Sequence, residues 1–319
     1  MGVESRAFRW VLRESICWWE AVRTRRLARA RPFALGERVV SNRIVPWAVR
    51  SAFRPGVQEV NGVRMQIPRP PDWGGGGEFH LALGTYERPE VEYLRRWLRP
   101  GDGFLDVGAH VGYFTLLAAS CVGPRGRVLA VEPTAASAER LRRNVALNGF
   151  GWATVIEAAA TDFDGEDALA VSGLDPMFNS LRRADAPVAN TTVRVTARRL
   201  DTIMAAAGWF PVAGIKIDSE GAEGEALRGA TEVLNRNPSL FVIFELSAES
   251  DRRLQSTHDA IALLTSRGYD LYGLTPRGRE RPVAASDLIS RLRQPRWQDA
   301  HFNVVARPAA AAASVPGSV

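Results

Sequence analysis

The segment GDGFLDVGAHVGYFT, residues 101–115, constrains the fold more than any other part of the chain. It reads as an apolar strand ending near Asp106, a turn through Gly108 and Gly112, and the start of a helix. Glycines at such a bend allow close approach of a ligand to the backbone, and the helix start offers free N–H groups and a positive dipole end. A nucleotide-like molecule suits that corner. The spacing is G-x-x-x-G with Asp106 two residues before the first glycine, unlike the G-x-G-x-x-G of a pyrophosphate cradle. A carboxylate there repels a pyrophosphate and welcomes an ammonium group, so the expected ligand is S-adenosylmethionine rather than NAD.

Downstream, strand-like runs at 103–108, 127–132, 153–159, 214–218, 240–246, 269–274 and 302–306 alternate with helical patterns. That alternation predicts an α/β fold, a mostly parallel sheet with helices on both faces. The stretch 163–198, with alternating segments at 166–171 and 192–196, is expected to be a hairpin-like insertion. PRPPDWGGGG, residues 68–77, reads as a linker. The organisation expected is a basic N-terminal extension with its linker over 1–78, the main domain over 79–308 and a loose tail over 309–319. Within the extension, residues 6–30 place Phe8, Val11, Leu12, Trp18, Trp19 and Val22 at roughly helical spacing between arginines, a basic amphipathic helix. Such a helix suits peripheral contact with an anionic membrane or burial on a core or second subunit.

Strand tips carry the candidate chemistry. Glu132 ends the second strand, 24 residues after Gly108, where a carboxylate can accept ribose hydroxyl protons; an acid before Pro133 also favours a helix start. Ala160 and Asp162 follow the third strand, a small surface for an adenine ring with a possible acceptor for its amino group, although Asp162 also fits turn chemistry before Gly165. On the fourth strand, Lys216 and Asp218 share a face, with Glu220 just beyond. Buried charges in a central parallel strand need pairing or use, so a Lys216–Asp218 salt bridge and a reaction centre are both open. Glu245 ends the fifth strand and could flank the same crevice as Asp218; no metal is expected there. His110, within the glycine turn, could touch cofactor or acceptor, or only bond backbone. His80, His258 and His301 have no partner spacing, and no nucleophile elbow or Ser-His-Asp arrangement supports a hydrolase.

Composition narrows the partners. Residues 1–56 carry 12 Arg against 4 Glu, whereas the rest carries 29 basic and 31 acidic residues, so the +6 net charge belongs to the N-terminal segment. A near-neutral body does not suit a nucleic-acid partner. Of 41 basic residues only Lys216 is a lysine. Two cysteines, Cys17 and Cys121, give no disulfide framework, and no apolar run is long enough to span a membrane, which together point to the cytoplasm.

The ordered set GTYERPEVEYLRRWLRPGDGFLDVGAHVGYFTLLAA (84–119), VLAVEP (128–133), NVALNG (144–149), AATDFDG (159–165), RRLDTI (198–203), IKIDSEGAE (215–223) and FEL (244–246) resembles the FkbM family of S-adenosylmethionine-dependent methyltransferases over roughly residues 79–307. The resemblance implies a seven-stranded, Rossmann-like sheet with an antiparallel last strand, and O-methylation of a small-molecule or glycan acceptor. His110 stands where the family mostly has Asn, and Ser219 where an apolar residue is common. The expected cofactor ligands are Asp106, Gly108, His110, Gly112, Glu132, Ala160 and Asp162. Asp218, Glu220, Lys216 and Glu245 are the expected catalytic group. Lys216 would hold Asp218 ionised or stabilise a developing oxyanion. The acceptor pocket is expected from 163–198, from 276–300 and from the N-terminal region, with a nicotinamide oxidoreductase or an N-methyltransferase as the alternatives.

Overall fold

The computed structural model describes residues 56–67, 80–81, 84–172, 189–247, 251–294 and 302–309. The expected N-terminal helix over 6–30, the linker over 68–77 and the tail from residue 310 lie outside the described residues. The chain divides into two compact units, Met1–Glu87 and Arg88–Val319. In the first, β1 (Gly56–Val60) and β2 (Val63–Ile67) form an antiparallel hairpin. Asn61 and Gly62 join them, both with positive φ, the turn that matches strand twist.

The second unit opens with helix α1 (Arg88–Trp97). Strand β3 (Gly103–Val107), helix α2 (Tyr113–Val122), strand β4 (Arg127–Glu132), helix α3 (Ala135–Asn148) and strand β5 (Ala153–Glu157) then wind a parallel half-sheet. Next come β6 (Ala159–Ala160), β7 (Gly165–Ser172) and β8 (Ala189–Arg198), a separate three-stranded sheet. β7 and β8 pair antiparallel, so the expected insertion is a hairpin, with Ala159, Leu169 and Val195 clustered at its centre. The chain returns through α4 (Leu200–Ala206), β9 (Gly214–Ile217), α5 (Glu223–Arg228), α6 (Thr231–Arg236), β10 (Phe241–Leu246), α7 (Asp251–Ser266), β11 (Tyr269–Leu274), β12 (Glu280–Pro282), α8 (Ala285–Leu292) and β13 (Phe302–Pro308).

The main sheet has the order β12-β11-β13-β10-β9-β3-β4-β5, with β13 antiparallel to both its neighbours. The seven expected strands are all present, and the short β12 adds an eighth at the edge. β3 and β9 are buried at every position, as parallel strands covered on both faces must be. On one face Leu105, Val107, Ile215, Ile217, Val242 and Phe244 join the core with residues of α4–α8. On the other, Asp106 meets Thr115, Lys216 meets Phe114, and Phe241 meets Tyr93 edge-on at 5.3 Å, side chains of α2 and α1. Strand order reverses between β3 and β9. Ligands of such sheets bind outside the carboxyl ends at that switch point, where the β3 turn and the tips of β9 and β10 converge.

Phe244 is fully buried in β10 between the Ile217 and Val304 registers. Phe244→Ala is expected to cost about 3–5 kcal/mol, read as a lowered urea midpoint.

Candidate active site

The glycine turn is built by backbone contacts that exclude side chains. Gly108 has φ +75, and a Cβ there would lie 1.7 Å from the Asp218 carbonyl oxygen. Gly112 has φ +94, and its Cβ would strike Leu141 Cδ1 at 2.1 Å. Two turn amides, Gly108 and Ala109, donate to Val131 O at 2.9 and 3.1 Å, which bolts the bend to β4. Asn144 Nδ2 of α3 donates to Val111 O at 2.8 Å. His110 sits between the glycines with φ +48, a left-handed conformation that Asn and Gly adopt more readily. Burial and nearby Arg140 lower its ring to about 4, so it is neutral at pH 7. Its Nε2 is buried with no hydrogen-bond partner among the described residues.

Glu132, at the tip of β4, is 5% exposed and accepts from three donors: the His110 N–H at 2.9 Å, the Thr134 N–H at 3.0 Å and the Thr134 hydroxyl at 2.6 Å. Burial raises its carboxyl while those three bonds lower it. Ala160 is buried in β6, whereas Asp162 is exposed and bonded to Arg228 Nε at 2.9 Å. A cavity of about 460 Å³ opens beside this edge, lined by Thr134, Ala136, Arg140 and Glu157 with Val193 and Thr196 of β8. Strand β8 of the insertion thus supplies one wall of this cavity.

Deeper in, Asp106 pairs in strand register with Lys216 and accepts a hydrogen bond from Thr115 Oγ1. Lys216 is 2% exposed, lies 4.5 Å over the Phe114 ring and donates to Asp218 Oδ2 at 2.7 Å. One ammonium thus stands between two carboxylates. The expected salt bridge is present, and it leaves the Asp218 side chain 18% exposed toward the strand end. The loop beyond is fixed by a residue the sequence reading left unassigned. Glu223 Oε1 accepts from the Ser219 N–H at 3.0 Å, the Gly221 N–H at 3.2 Å and the Ser219 hydroxyl at 3.3 Å. Arg253 Nη1 of α7 donates to Glu220 Oε2 at 3.0 Å. Asp218, Glu220 and Glu245 offer carboxylate oxygens all within 4.8 Å of one another. Lys216 is the cationic partner of Asp218, and Arg253 that of Glu220.

The expected site residues therefore fall into two neighbouring groups. Asp106, Gly108, His110, Gly112 and Glu132 surround the β3 turn, and Lys216, Asp218, Glu220 and Glu245 gather at the β9 and β10 tips. Asp162 stands apart in its ion pair with Arg228. Glu223, Arg253, Thr115 and Thr134 were missed: their partners lie on other elements or, for Glu223 and Thr134, depend on a bend that spacing does not reveal. RRLDTI has a structural use, because Asp201 accepts from the Val233 N–H at 3.0 Å and ties α4 to α6.

Burial raises the Asp106 carboxyl from 3.8 to about 6, opposed by Thr115 and Lys216. Between roughly pH 4 and 6 the folded chain keeps a proton that the unfolded chain has lost, so this group lowers stability as pH rises through that window. Asp106→Asn cannot ionise. Relative to the parent it is expected to gain about 2–3 kcal/mol between pH 4 and pH 7 in unfolding titrations. A constant difference across that range would mean that Asp106 is ionised throughout.

Residues 106–271 match the family model for the methyltransferase FkbM domain. Among solved structures, the chain is similar to a methyltransferase FkbM from Methylobacillus flagellatus KT, at 16% identity over 85% of this chain and 60% of that one, TM-score 0.40. It is also similar to an O-methyltransferase from Bacillus cereus in complex with SAH, at 14% identity over 68% and 79%, TM-score 0.41. A third is Aeropyrum pernix fibrillarin with natively bound S-adenosyl-L-methionine, at 13% identity over 68% and 73%, TM-score 0.36. None of the curated proteins matches the chain.

Proposed function

Because this chain belongs to the FkbM methyltransferase family, we propose that it moves a methyl group from S-adenosylmethionine to a hydroxyl of a sugar, glycan or polyketide-like acceptor. The observation that carries this reading is the contact between Gly108 and the Asp218 carbonyl, which gives the nucleotide-type turn and the acidic strand tips a common wall. The residues fit such a cofactor. A buried carboxylate ends β4, a second lies beneath the turn, and the neutral His110 ring has a buried nitrogen with no partner among the described residues. When bound, the cofactor supplies an electrophilic methyl on a sulfonium sulfur.

In this reading the chain's residues bind, align and remove a proton. Glu132 holds the ribose hydroxyls, Asp106 favours the cationic amino-acid end, and Ala160 leaves a flat surface for the adenine. Asp218, aided by Glu220, accepts the acceptor hydroxyl's proton. Lys216 is too deeply buried to meet an acceptor, which favours its role of holding Asp218 as a carboxylate. Alignment of two reactants contributes about 7–11 kcal/mol, and a positioned base about 10²–10⁴-fold, so orientation is the larger effect.

Calorimetry of the full chain with S-adenosylmethionine, its demethylated product S-adenosylhomocysteine and NAD tests the first half; the two sulfur ligands should bind and NAD should not. Labelled methyl donor incubated with free sugars, glycosides and macrolide aglycones, followed by product mass, tests the second. Glu132→Ala is expected to weaken product binding about 10-fold or more. Asp218→Ala should leave that affinity within twofold and lower turnover about 10²-fold. Normal turnover in Asp218→Ala would remove that residue from the mechanism.

A further inference from the structure

Arg253 lies in no segment that the sequence motifs mark, yet it is one of the most completely buried large side chains of the chain, at 1% exposure. It belongs to the first turn of α7 and reaches the loop beyond β9, where it bonds Glu220. That loop is shaped around it. Glu220 has φ +53, and at Gly221, φ +98, a Cβ would lie 2.7 Å from Arg253 Cγ. The joining of α7 to α5 does not require this pair, because Ser256 of α7 already accepts from the Gly224 N–H at 3.0 Å and donates to Glu225 at 3.2 Å. What Arg253 adds is a fixed positive charge behind Glu220.

That charge changes a balance. Three carboxylates, Asp218, Glu220 and Glu245, meet within 4.8 Å; Lys216 is bonded to Asp218 and Arg253 to Glu220, so each of these cations offsets one negative charge of the cluster. A methyl donor and its product differ by one charge at the sulfur, a sulfonium against a neutral thioether. Charges in such a low-dielectric crevice act strongly on one another. We propose that Arg253 is a positioning residue which, through Glu220, sets how far the cleft prefers the charged methyl donor over the neutral product. The inference rests on the methyltransferase reading above. A planar, permanently charged guanidinium suits the task because it holds a carboxylate in one place and cannot lose its proton.

The test is calorimetry of the full chain with S-adenosylmethionine and S-adenosylhomocysteine, taking the ratio of product Kd to donor Kd. Arg253→Met leaves the crevice more negative and should raise that ratio at least threefold. Glu220→Gln should lower it at least threefold, and the double variant should return to within twofold of the parent. Arg253→Lys keeps the charge and should also stay within twofold. Lost packing alone weakens both ligands equally and leaves the ratio unmoved. The inference is overturned if Arg253→Met and Glu220→Gln shift the ratio in the same direction, or if neither shifts it. If Arg253→Met does not fold, Glu220→Gln decides alone, an unchanged ratio overturning the inference. A parent that binds neither sulfur ligand ends the methyltransferase reading itself, whereas a parent that binds both with an insensitive ratio ends only this inference.

Discussion

The approach of the β3 turn to the tip of β9 is the constraint on which the rest of the site depends. Gly108 and Asp218 meet backbone to backbone, closer than any side chain at position 108 allows. Hydrogen bonding reinforces the join, since the Asp218 N–H donates to Val107 O at 3.0 Å. The reversal of strand order at this seam is what opens a crevice, and the missing Cβ is what keeps the crevice narrow. Every candidate group at the β3, β4 and β9 tips is placed relative to that seam.

Charge is handled by depth. Lys216 is sunk in β9 beside Asp106 of β3 and just before Asp218, and its compact ammonium fits against the Phe114 ring where a forked guanidinium would need more donors satisfied. In a chain that otherwise uses arginine for 40 of its 41 basic positions, this is a physical reason for its one lysine. Removing either member of a buried pair costs more than the pair contributes, so Lys216 and Asp218 constrain each other. Arg253 shows the complementary solution: a long side chain that reaches from a helix and buries its stem beneath a loop.

The sequence made the sheet legible because its strands are short apolar runs between punctuated helices. The residues 103–108, 214–218 and 240–246 each became a strand within a residue or two of those bounds. The Asn61–Gly62 hairpin passed unread although V-N-G-V is a strong turn signal, because its flanking strands are short and mixed in polarity. β12 was missed because three residues, one of them proline, carry no periodicity. In the site, residues on the strand tips were visible from register alone. Arg253 and Glu223 were not, because their meaning comes from the fold: one crosses from α7 to the β9 loop, the other bends back on three preceding donors of its own loop.

Glu132 carries one more consequence. An ionised carboxylate offers about four lone-pair positions, and three incoming bonds at Glu132 already occupy most of them. A vicinal diol brings two protons to a group with about one vacancy. In the proposed reading, a ribose diol bonding here would displace the Thr134 hydroxyl, the donor with the freest rotor, while the His110 amide stays in place as part of the bend. Occupancy of the β4 tip would then be written into the side-chain torsion of a threonine at the start of α3.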